Sequence, residues 1–161
     1  MGSSFVEYKG KGFWVSDPGL QVWLEALVQE IDRWPSPPEW LALARQEWHR
    51  QALGTQPAFM SLELDEFART NEQTGVLITL SEQALTQLAT YGLVVSHDLL
   101  NSMLRDEAIM PWEKPFFKRD VPIEGFLIVG KTFIQLLKGE LATTASTSPT
   151  LGVGTASFGG G

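Results

Sequence analysis

Asp17-Pro18-Gly19-Leu20-Gln21-Val22-Trp23-Leu24-Glu25-Ala26-Leu27-Val28-Gln29-Glu30-Ile31-Asp32-Arg33-Trp34-Pro35 contains a helix start, a helical stripe and a helix stop in one run. Leu20, Trp23, Leu24, Leu27, Val28, Ile31 and Trp34 recur at spacings of three and four, which places them on one face of a 3.6-residue helix. Gln21, Glu25, Gln29, Asp32 and Arg33 fall elsewhere. The spacing predicts a helix over about 18–34. Pro35 ends it, because the residue before a proline is pushed out of the helical region.

The same punctuation recurs. Ser36-Pro37-Pro38-Glu39, Thr70-Asn71-Glu72-Gln73, Ser96-His97-Asp98 and Asp120-Val121-Pro122 each precede an apolar stretch with helical spacing. A capping side chain accepts bonds from the first orphan amides, proline tolerates the first turn, and Glu or Gln three residues on completes a capping box. Helices are predicted over about 37–53, 71–91, 97–106 and 122–139, with a short acidic helical turn at 62–67. Gly75, Val76 and Ile78 are poor helix formers early in the helix of 71–91, so Ser81-Glu82 is an alternative start. The first two helices read as an antiparallel pair with Gly54 as the stop of the second. Residues 5–15, aromatic and interrupted by Gly10 and Gly12, suggest a turn or small hairpin.

The fold expected is all-α: a bundle of about five helices over residues 1–141, with a short N-terminal hairpin or turn. Residues 142–161 carry no charge and little apolar area, and read as a flexible tail that cannot offset its ordering entropy. A chain of 161 residues can bury a sizeable single core, removing roughly two thirds of its unfolded surface from water. The absence of Cys excludes disulfides and thiolate chemistry and suits a reducing cytosol. The N-terminus lacks the basic and apolar segments of a signal peptide, and Val6 stands where a myristoylation motif wants Ser or Thr. No apolar run approaches the roughly 20 residues of a membrane span. These features together lead to an expected cytoplasmic location and no membrane contact.

The formal net charge is −7, with 12 basic and 19 acidic side chains. That balance argues against nucleic acid as partner, since affinity for a duplex comes mainly from Lys and Arg on phosphates. A basic protein partner is easier to accommodate. Glu63, Asp65, Glu66 and Glu72 form the densest acidic patch, relieved by Arg69, and read as a solvated or partner-facing surface. Of the six Trp, Trp23, Trp34, Trp40 and Trp48 fall on core stripes, while Trp14 and Trp112 lie in irregular segments and suit a contact rim.

No catalytic, metal or cofactor constellation emerges, so no enzyme activity and no cofactor are expected. Gly125-Phe126-Leu127-Ile128-Val129-Gly130-Lys131-Thr132 satisfies the spacing of a phosphate loop, but its four apolar residues follow a cap rather than a strand. A core helix whose glycines mark close packing is the better reading. His49 and His97 have no acid–base partner at a telling spacing, and no nucleophile elbow is present.

Phe5-Val6-Glu7-Tyr8-Lys9-Gly10-Lys11-Gly12-Phe13-Trp14, with Val22-Trp23-Leu24 and Glu30-Ile31-Asp32, resembles the opening of a set of small uncharacterised bacterial helical proteins. The likeness continues through Pro38-Glu39-Trp40-Leu41, Trp48-His49-Arg50-Gln51-Ala52, Leu64-Asp65-Glu66-Phe67 and Leu136-Leu137-Lys138-Gly139-Glu140-Leu141, and leaves out the tail. It implies a polymorphic-toxin immunity protein: a small, acidic, cytoplasmic neutraliser of a cognate toxin domain. The leading expectation is therefore a non-enzymatic inhibitor whose acidic face covers a basic toxin surface. A small-molecule binding or sensing domain with a Trp-lined pocket is the alternative, and an unrecognised hydrolase using His49 or His97 a third.

Overall fold

Helix α1 (Asp17–Asp32) is buried almost all the way round, with every residue from Asp17 to Val28 out of solvent. A helix covered on all sides is the centre of its domain. Its neighbours are α2 (Glu39–Ala52), α4 (Asn71–Ala89), α6 (Ile123–Lys138) and a hairpin of β1 (Ser3–Tyr8) and β2 (Lys11–Ser16). Smaller elements complete the order: α3 (Leu64–Phe67) before α4, then β3 (Val94–Val95), α5 (His97–Met103) and β4 (Val121–Pro122). The computed structural model describes residues 3–53, 61–104 and 117–141. The expected tail at 142–161 and the Gly54 stop lie outside the described residues.

The stripe read from the sequence covers only part of the buried surface of α1. Gln21 and Glu25, placed off the core in that reading, are buried as well. The cause is α2, which crosses the polar side of α1 bringing its own polar groups. His49 Nδ1 lies 3.0 Å from Glu25 Oε2, and Arg45 binds Asp32 through two bonds of 2.9 and 3.0 Å. Burial holds the Glu25 carboxyl above its ordinary range, and the bond to His49 opposes that rise. Opposite α2, the helices α1, α4 and α6 meet at Gly130. A Cβ there would stand 2.6 Å from Trp23 Cζ3 and 2.9 Å from Leu85 Cδ1. The phosphate-loop pattern thus lies inside α6, and Gly130 serves close helix packing.

Among the described residues there are six helices and two antiparallel strand pairs, so the all-α expectation of about five helices is corrected to a helix-rich fold with two small sheets. In the hairpin, Lys9 (φ 52°) and Gly10 (φ 80°) both take positive φ, the two-residue turn whose twist matches paired strands. It pairs Tyr8 with Lys11 and runs in register to Ser3 and Ser16. Val6, Tyr8, Phe13 and Val15 face inward. The second pair, Val94 with Pro122 and Val95 with Val121, is too short to leave an alternating pattern in the sequence.

The punctuation located every long helix to within about two residues, yet its capping chemistry holds at only some of them. Thr70 and Gln73 form the full capping box, and Ser96 accepts from Leu99 N at 3.2 Å. The N-cap residues of α1, α2 and α6 are Ser16, Pro38 and Pro122, and none offers a side-chain bond. Asp17 accepts instead from Ser4 Oγ at 2.7 Å, tying the hairpin to α1. The box at Thr70 makes α4 continuous from Asn71, with Ser81 buried in its interior and not at its start.

Candidate functional site

Around α3 the chain holds its carboxylates outward on a braced frame. Leu64 is buried beneath the turn, and Tyr8 Oη donates to Ala68 O at 2.8 Å from the hairpin. Lys9 N donates to Asp65 Oδ1 at 3.0 Å, so Asp65 fastens the hairpin tip and is partly committed inside the protein. Glu63, in the left-handed region at φ 52°, accepts from Ser61 Oγ at 3.2 Å. Glu63, Glu66 and Glu72 are exposed, and none has an ion-pair partner among the described residues.

Glu72 belongs to a second feature as well. The C-terminal end of α1 and the residues after it, Arg33 to Pro35, stand beside one face of α4 and leave an open groove of about 1200 Å³. Glu72, Gly75, Val76, Thr79, Gln83 and Gln87 follow one another along it at helical spacing. Trp34, 37% exposed, stands in its wall. The stripe reading assigned Trp34 to the core. The helix ends at Asp32, and Trp34 N closes the last turn onto Ile31 O at 2.9 Å, which turns its ring out of the bundle.

Two features of the groove are not explained by the fold. Glu30 is 6% exposed and its Oε2 accepts no hydrogen bond among the described residues. Arg33 Nη1 is 3.2 Å away, near enough for charge attraction but without hydrogen-bond geometry, and its side chain is 59% exposed. Gly75 sits within α4 where an added Cβ would meet nothing within 4 Å. A glycine in a helix interior costs roughly 0.5–1 kcal/mol relative to alanine, and here no contact among the described residues requires it.

The structure therefore joins Glu72 to Trp34, while Glu63, Asp65 and Glu66 cluster about α3. Trp14 lies on the outer face of the hairpin, its ring 5.4 Å from that of Phe5, and Trp112 lies outside the described residues. Trp23 and Trp48 are fully buried, and Trp40 packs at the edge of the core. Glu30, Trp34 and Glu82 in the groove escaped sequence reasoning. The i, i+4 spacing of Glu30 and Trp34, just before Pro35, was the available signal.

Each histidine has found a carboxylate that is remote in sequence: His49 pairs with Glu25, and His97 with Asp120. Among the described residues no group of three or more His, Cys, Asp or Glu is placed to hold a metal ion. Asp120 Oδ1 accepts from both the backbone N–H of His97 at 3.0 Å and its Nδ1 at 2.8 Å. The ring bond to Asp120, helped by Asp98, raises the imidazole above its ordinary 6.5, and the two bonds from His97 hold Asp120 below its ordinary range. The sign for His97 follows from its raised value. Its stabilising effect is complete below 6.5 and is lost as pH rises through the higher folded value. Urea midpoints of the native protein and His97→Ala should therefore differ most near pH 6 and draw closer as pH rises above it. A gap that stays constant with pH would refute the assignment.

Among the described residues, no helix is long and apolar enough to cross a membrane. No protein-family model, curated protein or solved structure matches the chain.

Proposed function

We propose that this protein is a non-catalytic protein-binding domain of the immunity type, which neutralises a cognate bacterial toxin in the cytoplasm by covering a basic toxin surface. The observation that carries the reading is the exposed set Glu63, Glu66 and Glu72, without an ion-pair partner among the described residues and held outward by the braced α3 and the first turn of α4. Exposed like charges on a fixed frame raise the rate of encounter with an oppositely charged partner and suppress wrong ones. The overall charge of −7 acts in the same direction.

The test reverses the three exposed carboxylates together, Glu63→Lys, Glu66→Lys and Glu72→Lys, and leaves Asp65 to hold the hairpin. Against a toxin domain captured from the source bacterium, association should slow by about tenfold or more at low salt and lose most of its salt dependence. Rescue of growth in cells expressing that toxin should fall in parallel. Unchanged association and unchanged rescue would overturn the reading.

A further inference from the structure

We infer that the groove between the end of α1 and α4 seats a basic amphipathic helix of the partner protein, with Glu30 receiving one of its arginine or lysine side chains. This rests on the protein-binding reading above and narrows it to one surface and one kind of partner element.

Shape is the first argument. From Glu72 to Gln87 the groove follows α4 for roughly 22 Å at 1.5 Å per residue, about four turns of an opposing helix. Its volume of about 1200 Å³ exceeds the usual range for small-ligand pockets, roughly 300–1,000 Å³. One wall is the face of α4 and the other the last turn of α1 with the turn that follows it, so an incoming segment finds no strand edge to extend and must pack by side-chain rows, as a helix does. Val76 and Leu80 supply an apolar floor for such rows.

Charge and backbone agree with that occupant. Glu30, Glu72 and Glu82 line the groove against Arg33 alone, which favours a cationic segment. Glu30 Oε2 is buried beside Arg33 Nη1 at 3.2 Å and accepts no hydrogen bond among the described residues, so its charge is held by one exposed guanidinium alone. An arginine or lysine arriving over Trp34 would add a second cation at the Glu30 carboxylate and meet the face of an aromatic ring. Gly75 lies in the same surface with open space above it, and the absence of a side chain there lets a second helix axis come close.

The experiment uses the full chain, labelled with ¹⁵N, and a 16-residue acetylated and amidated helical peptide with leucine along one face and arginine on its flanks. A second peptide with glutamate in place of arginine is the control. The arginine peptide should shift the Trp34 indole N–H signal and the amides of Gly75 and Thr79 saturably, and the glutamate peptide should not. Glu30→Gln should weaken binding about tenfold, and Gly75→Leu at least as much, since the space it fills is the seat itself. Shifts confined to α3, no binding, equal binding of the two peptides, or full affinity after Glu30→Gln would each overturn the inference. So would a groove already occupied by a second copy, visible as concentration-dependent shifts without peptide. A captured toxin that protects α3 and leaves the groove open to hydrogen exchange would remove the helix seat and keep the binding function. Peptide binding in the groove without toxin neutralisation would do the reverse.

Discussion

Trp48→Ala should cost more stability than Trp23→Ala, although both rings are fully buried, and both losses should fall within about 3–5 kcal/mol. That is a large share of the roughly 5–15 kcal/mol that holds a typical domain together. Both truncations leave a cavity. Trp48 packs edge-on against Phe67 with ring centres 6.0 Å apart, and Trp23 against Phe133 at 5.7 Å. The difference lies in their indole nitrogens. Trp48 Nε1 donates to Leu62 O at 2.9 Å, so its loss also strands a carbonyl, whereas Trp23 Nε1 is buried with no acceptor among the described residues. Removing an unsatisfied donor recovers part of its roughly 1–3 kcal/mol desolvation cost. Urea denaturation should place Trp48→Ala below Trp23→Ala in midpoint at equal slope. The opposite order would mean that the Trp23 donor has a partner.

The second large effect is expected at Gly130. Gly130→Val should destabilise by about 3 kcal/mol, the upper part of the usual range for overpacking. Its new atoms would press on the Trp23 ring at a distance that real contacts do not reach, and that ring has no exposed side toward which to move. Gly130→Ala should cost less, because better helix propensity returns up to about 1 kcal/mol. Trp23→Phe opens space at the same point. Combined with Gly130→Ala, it should lose less than the two single changes add up to, by roughly 0.5–3 kcal/mol. Strict additivity would show that the two residues do not share the junction.

The helices were legible because their stripes and stops are local. Trp23, Leu24, Leu27 and Ile31 announce α1 by spacing, and Thr70 with Gln73 announces α4 by a cap that the structure forms. Contacts between distant segments were not legible. Gln21 and Glu25 read as outward because the side chains that cover them come from α2, and no pattern within residues 17–35 records His49 or Arg45. The β3–β4 pair joins residues far apart in the chain, and the Asp120 expected to cap α6 turned to His97. At the candidate site the split is similar. Glu72 was read from local charge density, whereas the groove it lines depends on where α1 stops relative to α4.

The all-round burial of α1 also bears on how the chain is made. During synthesis α1 is complete roughly 90 residues before α6 begins, about 5–20 s at the usual pace of a ribosome. Through that interval the face of Trp23 that closes on Gly130 and Phe133 has no partner, and a sticky helix is held waiting. A bundle whose first helix is its axis cannot mature from the front; it closes when its last helix arrives. Emergence of α6 from the ribosome, more than the formation of α1 itself, sets the moment at which this bundle closes.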